Sequence, residues 1–140
     1  VTSLILLLHF VLSGFFSAQT PTAPVRIHLD GLREGRGEIL LALFNREVGF
    51  PDEERNAFRT FVFPARTDLV LESVPPGTYA LALLHDLDGN KKMTFSFFGL
   101  PRDGYSSSPA GGARFSKPRF TESRFAHGSR PTDLRMKMHY

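Results

Sequence analysis

The chain contains no cysteine and no tryptophan in 140 residues. Without thiols it has no disulfides, thiolate zinc sites, iron–sulfur clusters or cysteine nucleophiles, and no lipid anchor through a lipobox cysteine. Charged residues are sparse at 22% against 41% apolar, a balance that excludes wholesale disorder and many membrane spans. Methionine occurs only three times, whereas phenylalanine occurs fourteen times. Setting aside a leader of 18 residues leaves about 122, enough for one domain and too few for two ordinary ones.

The net charge of +3 conceals an asymmetry. Residues 26–90 hold seven arginines against eleven acids, a balance of −4, whereas residues 91–140 hold ten Lys and Arg against three acids, a balance of +7. A basic second half suits an anionic partner such as nucleic acid, a phospholipid surface or an acidic glycan. The plainer reading is that the halves interleave in the fold and the charges face water. The pI near 9.6 comes with no helix-turn-helix or zinc-finger spacing, so no nucleic-acid partner is expected.

Residues 4–16 are almost wholly apolar, interrupted only by His9, Ser13 and Gly14. Thirteen residues are too few for a spanning helix, which needs about twenty, but they suit the core of a signal peptide. Ser17 and Ala18 give small residues at a cleavage point before Gln19, although no Lys or Arg precedes Arg26. Residues 1–18 therefore read as a signal peptide. The expected product is exported to the periplasm or beyond and is not an integral membrane protein once cleaved.

Residues 19–24 read as a spacer, and residues 25–140 as one domain built from strands. Val25, Ile27 and Leu29 alternate with Arg26, His28 and Asp30, the period of a half-buried strand. Residues 39–44 are apolar on both faces, as a central strand covered on both sides requires. Further strands follow around Phe61 to Phe63 and Leu69 to Leu71, and after the tight turn PPGTY, where Gly77 can take a positive φ. Tyr79, Leu81, Leu83 and His85 share one strand face; Leu134, Met136 and Met138 mark a last half-exposed strand. The only helical signal is a short turn over residues 51–57, with Pro51 first and three acids behind it. About seven short strands with Gly- and Pro-rich turns indicate an all-β fold, a single antiparallel β-sandwich.

The long connection over residues 85–108 exceeds what a compact domain commonly tolerates without a function for it. It opens with Asp86, Asp88 and Asn90, oxygen-bearing side chains at i, i+2 and i+4 as in calcium loops of the EF-hand kind, and Lys92 offers a backbone carbonyl at the seventh position. Lys91 stands where such a loop has Gly, and Phe97 where it has a bidentate acid, so any Ca²⁺ site would be weak. The alternative is a polar turn whose side chains accept backbone N–H groups. His85, Phe98 and Tyr105 are candidate ligand-binding residues flanking or within this connection, and Phe95, Phe97, Phe98 and Tyr105 could stack on sugar rings.

Several segments resemble the bacterial domain-of-unknown-function family 2141: LLALFN (residues 40–45), GFP (49–51), PPGTYALALLHDLDGN (75–90), FFGLPRDGY (97–105) and the later ARF and RF pairs around Phe115 and Phe120. The resemblance covers most of residues 25–140 in order and spacing. It implies a small exported sandwich, immunoglobulin-like or transthyretin-like, with no established activity. The chain departs from the family's loop at Lys91, Thr94 and Ser96, where Gly, an acid and Asn are common, which removes oxygen ligands.

An enzyme is not expected. Adjacent strand residues face opposite ways, so His85 and Asp86 would not naturally meet as an acid–base pair, and His85 reads as a strand-end residue bonded to the long loop. Ser106, Ser107 and Ser108 lack the nucleophile elbow and read as a mobile loop. His28 and His139 would approach each other only if the terminal strands paired. The Arg and Phe interleaving from Arg114 to Phe125 reads as Phe laid into the core with Arg in water. The expected role is a non-catalytic binding or structural module of the bacterial envelope, its working face the 86–105 loop. The alternatives are a carbohydrate-binding module, a weak Ca²⁺-binding domain and, last, a hydrolase.

Overall fold

The computed structural model describes Gly14, residues 17–92 and residues 102–140. Most of the expected signal segment, and Phe95, Phe97 and Phe98, lie outside the described residues. Among the described residues, no helix is long and apolar enough to cross a membrane.

Strand β1 (Ala23–Asp30) follows its alternation: Val25, Ile27 and Leu29 turn inward and are at most 1% exposed. It begins at Ala23, so the spacer is shorter than expected. Strand β1 lies between β4 (Asp68–Val74) and β8 (Thr132–Lys137) in a three-stranded sheet. The pairing with β4 is antiparallel, but that with β8 is parallel, matching Ile27 to Leu134 and Leu29 to Met136. The wholly antiparallel expectation is corrected here. Period-2 alternation fixes which face a residue occupies, and it carries no information on strand direction.

The second sheet runs β3 (Arg59–Pro64), β2 (Glu38–Phe44), β5 (Gly77–Asp86) and β6 (Gly104–Ser107), all antiparallel. Strand β7 (Arg124–His127) pairs with the first half of β5, and β6 with the second half, so two short strands share one edge end to end. Leu41, Leu43, Leu81, Leu83 and Tyr79 face Ile27, Leu71, Leu134 and Met136 across one core. Burying a side chain of this size contributes about 1.5–3 kcal/mol, and this single cluster joins both sheets.

The apolar run of β2 is buried on both faces for a visible reason. Phe44, wholly buried, meets Phe50 edge to face at 5.2 Å, and Phe50 meets Phe120 at 5.8 Å. These rings belong to the 45–58 connection and to a one-turn helix, α1 (Phe120–Ser123), which lie over the outer face of the second sheet. The expected helical turn after Pro51 is a three-residue 3₁₀ turn, Glu54–Asn56, that excludes the proline.

Three local expectations change. Gly77 is not at positive φ; it opens β5, with the Tyr79 ring lying where a Cβ would point. The Tyr79 hydroxyl donates to the Pro75 carbonyl at 2.9 Å. The Ser106–Ser108 run is buried: Ser106 donates to the Lys137 carbonyl, while Ser108 donates to the Ser123 carbonyl and accepts from the Leu81 amide. Hydrogen-bonded serines serve as core residues here, since burial is costly only without partners. Phe115 is 60% exposed, so the Arg and Phe interleaving does not place it in the core, although Phe125 in β7 does lie there.

Candidate functional site

The strands place several chemically active residues at one end of the two sheets. β1 ends there, as do β5 and β8, while β2 and β6 begin there. The connection of residues 31–37, the start of the long connection and the segment after β8 therefore meet at this end.

Asp86 is the last residue of β5 and only 1% exposed. Its Oδ1 accepts the Gly89 amide at 2.9 Å and its Oδ2 the Lys91 amide at 2.8 Å. Asp88 Oδ1 accepts the Asn90 amide at 3.0 Å, and Asn90 Oδ1 accepts the Lys92 amide at 2.9 Å. The polar turn expected from the sequence is thus formed. Lys91 adopts φ 59° and Gly89 φ 76°, so the chain makes the sharp left-handed turn even where Lys replaces Gly. The Lys91 ammonium reaches Glu38 at 3.5 Å across an exposed surface.

Sequence reasoning missed the residue that completes this group. Asp103, 1% exposed, lies just before β6, and its Oδ1 accepts the Leu87 amide at 3.0 Å. One carboxylate oxygen from each of Asp86, Asp88 and Asp103 lies within 4.8 Å of the others. The available signal was the acid in the PRDGY segment, which returns the chain from the long connection directly onto β5. The amide hydrogen bonds orient the three carboxylates, Asp86 through both oxygens and Asp88 and Asp103 through Oδ1. Hard divalent cations take such oxygens, and bringing like charges together is favourable when a cation lies between them.

Residues 27–135 match the family described as an uncharacterized protein conserved in bacteria, DUF2141. The chain belongs to this family. No curated protein and no solved structure matches it. The DUF2141 match runs from within β1 to within β8 and includes all three carboxylates.

The remaining candidates in this DUF2141 chain are placed as follows. His85 is wholly buried; its Nε2 bonds the Arg36 carbonyl at 2.6 Å and its Nδ1 the Tyr140 hydroxyl at 2.7 Å. A carbonyl only accepts, so in the neutral ring Nε2 bears the proton and Nδ1 accepts from Tyr140. His85 is therefore bonded to the 31–37 connection and to Tyr140, which corrects its expected bonding to the long loop. Both ring nitrogens have partners inside the protein, and neither partner is Asp86. Burial raises the Tyr140 pKa above 10, opposed by the Arg33 amide and the Arg33 guanidinium.

Tyr105 is half-buried, its hydroxyl accepting the Phe115 amide at 2.7 Å and its ring tilted against His139 at 5.3 Å. His139 bonds the Gly111 and Gly112 carbonyls, while His28 bonds Asp68, so these two histidines do not form a pair. Lys92 joins the polar turn through its amide. Phe98 lies outside the described residues.

Gly37 explains how the first connection reaches this site. At φ 70°, a Cβ there would lie 2.1 Å from the Asp86 carbonyl oxygen. Only glycine permits that approach, which sets the 31–37 connection against the end of β5.

Proposed function

We propose that this protein is an exported β-sandwich, immunoglobulin-like or transthyretin-like, acting as a non-catalytic binding or structural module of the bacterial envelope. Its working face is the connection that begins at Asp86 and returns at Asp103, and its partner is an envelope component or glycan. The face is ordered by a weakly held Ca²⁺-type cation between Asp86, Asp88 and Asp103. The observation that carries this reading is the convergence of three carboxylates within 4.8 Å, two of them buried. Asp103 adds an oxygen ligand from outside the EF-hand-like run, which offsets the missing acid at Phe97. The immunoglobulin-like reading draws support from Tyr79, whose hydroxyl bonds the backbone four residues upstream, as in the tyrosine corner of such sandwiches.

Thermal unfolding in EDTA, then across a Ca²⁺ titration with Mg²⁺ as control, tests the cation. A ligand binding only the folded state adds about 2.7 kcal/mol at a hundred times its Kd, a rise on the order of 10 °C for a domain of this size. A saturable Ca²⁺-specific rise that is lost in Asp88→Asn with Asp103→Asn is the expected outcome. No shift at millimolar Ca²⁺ would remove the cation and leave a polar turn.

A further inference from the structure

An edge strand presents unpaired main-chain N–H and C=O groups to any strand that can lie beside it, and folds blunt such edges with cover, brevity, charge or bulges. Most edges of these two sheets are managed in that way. The outer side of β6 is closed by Tyr105, which exchanges both main-chain bonds with His139, and by Ser107, which does so with Gly111. On β8 the Lys137 amide donates to the Ala110 carbonyl, and the Lys137 carbonyl accepts the Ser106 hydroxyl. Near the end of β4, Arg59 Nη1 donates to the Glu72 and Ser73 carbonyls, at 3.3 and 2.9 Å. β7 is only four residues long.

β3 is different. It pairs with β2 without a register shift from Arg59 to Pro64, so no bulge turns it away. Among the described residues, nothing outside β2 bonds the main chain from Thr60 to Pro64. Alternate residues of β3 give their main-chain groups to β2, so the groups between them point to the open side. The strand is also uncharged from Thr60 to Ala65, and Val62 is 57% exposed. Phe61 and Phe63 are half-buried against the core, their rings stacked with centroids 6.1 Å apart. Arg59, the one charge in the strand, is spent on β4. Pro64 has no N–H and ends the stretch that a further strand could pair.

We infer that β3 pairs antiparallel with β3 of a second copy of this chain, joining the two second sheets into one. The strand is complementary to itself. A two-fold axis at Val62 sets Val62 against Val62, Phe61 against Phe63 and Arg59 against Ala65. β-Branched and aromatic cross-strand pairs are favourable, and no like charges are opposed. An isologous contact of this kind closes at two copies. The two-fold reverses strand direction, and Pro64 lies beside Glu38, which lies beside Asp86, so the two carboxylate groups fall at opposite ends of the joined sheet. The pairing stands whether or not those groups hold a cation.

Sedimentation equilibrium of the full chain tests the pairing. The expected result is a species of twice the chain mass that dissociates on dilution. Val62→Lys sets two ammonium groups against each other at the axis and should leave single chains with a cooperative urea transition, because the side chain it replaces is exposed. Val48→Lys, at a residue 61% exposed outside the strands, should leave the dimer intact. The chain has no cysteine, so Pro64→Cys carries a single nitroxide. The two labelled positions of one dimer should lie on the order of 15 Å apart, four residues along the strand and one strand across, and dipolar coupling reads that separation. The inference is overturned if single chains persist at every attainable concentration, which would leave the edge to a strand of another protein. It is overturned equally if Val62→Lys associates like the wild type, if Val48→Lys dissociates the dimer as well, or if a dimer shows no coupling between its labels.

Discussion

Tyr140 concentrates more structural consequence than its position in the sequence suggests. Its hydroxyl accepts the Arg33 amide and donates to buried His85, and its ring supports the Arg33 guanidinium. Gly104 makes room for that ring, since a Cβ would stand 2.5 Å from it. Tyr140→Phe should keep the ring and lose both hydroxyl bonds, costing about 1–3 kcal/mol because a buried ring nitrogen is left without its partner. Urea unfolding at pH 7 measures that loss. The same substitution should alter the alkaline limb. The folded phenol has its pKa raised by burial, so it stays neutral where the unfolded one, near 10, ionises. Its contribution is present in full below pH 10 and declines as pH rises from there through the folded value. Stability measured across that range should therefore fall less steeply in the variant. An unchanged slope would show that other groups, such as Tyr79, dominate the limb.

At the scale of elements, Ser108 ties three of them together. Its hydroxyl accepts the Leu81 amide of β5 at 2.7 Å and donates to the Ser123 carbonyl at the end of α1, just past β6. The Leu81 amide falls where the edge of β5 passes from β7 to β6, so a side chain substitutes there for a missing strand partner. Ser108→Ala should cost about 2 kcal/mol or more, since it leaves a buried amide and a buried carbonyl without partners. Faster hydrogen exchange at the Leu81 amide would locate the effect. Protection equal to that of the wild type would mean that the amide has another acceptor.

For the whole molecule, the parallel pairing of β1 with β8 joins the beginning of the domain to its end. Removing residues 132–140 would strip β1 of six register partners and the core of Leu134, Met136 and Met138. Truncation of large buried side chains costs about 2–5 kcal/mol each, and natural domains have only about 5–15 kcal/mol in total. The shortened chain should therefore show no cooperative urea transition by circular dichroism. A retained transition would mean that the second sheet is stable by itself. Assembly at this scale also sets the acidic turn beside the hydrogen bond between buried His85 and Tyr140.

Much of the architecture followed from local pattern. Alternation at Val25, Ile27 and Leu29 and at Leu134, Met136 and Met138 determined which side chains form the core, because a strand exposes every second residue to the same face. The doubly apolar run of β2 determined a central strand, and Asp86, Asp88 and Asn90 determined a polar turn, because each needs only neighbours in sequence. Tertiary structure alone decided the parallel partner of β1, the burial of Ser106–Ser108, and the addition of Asp103 to Asp86 and Asp88. It also decided that Arg33 and Arg114 meet at Tyr140. These are contacts between distant segments, and what brings them together is strand order and direction, which a two-residue period does not encode.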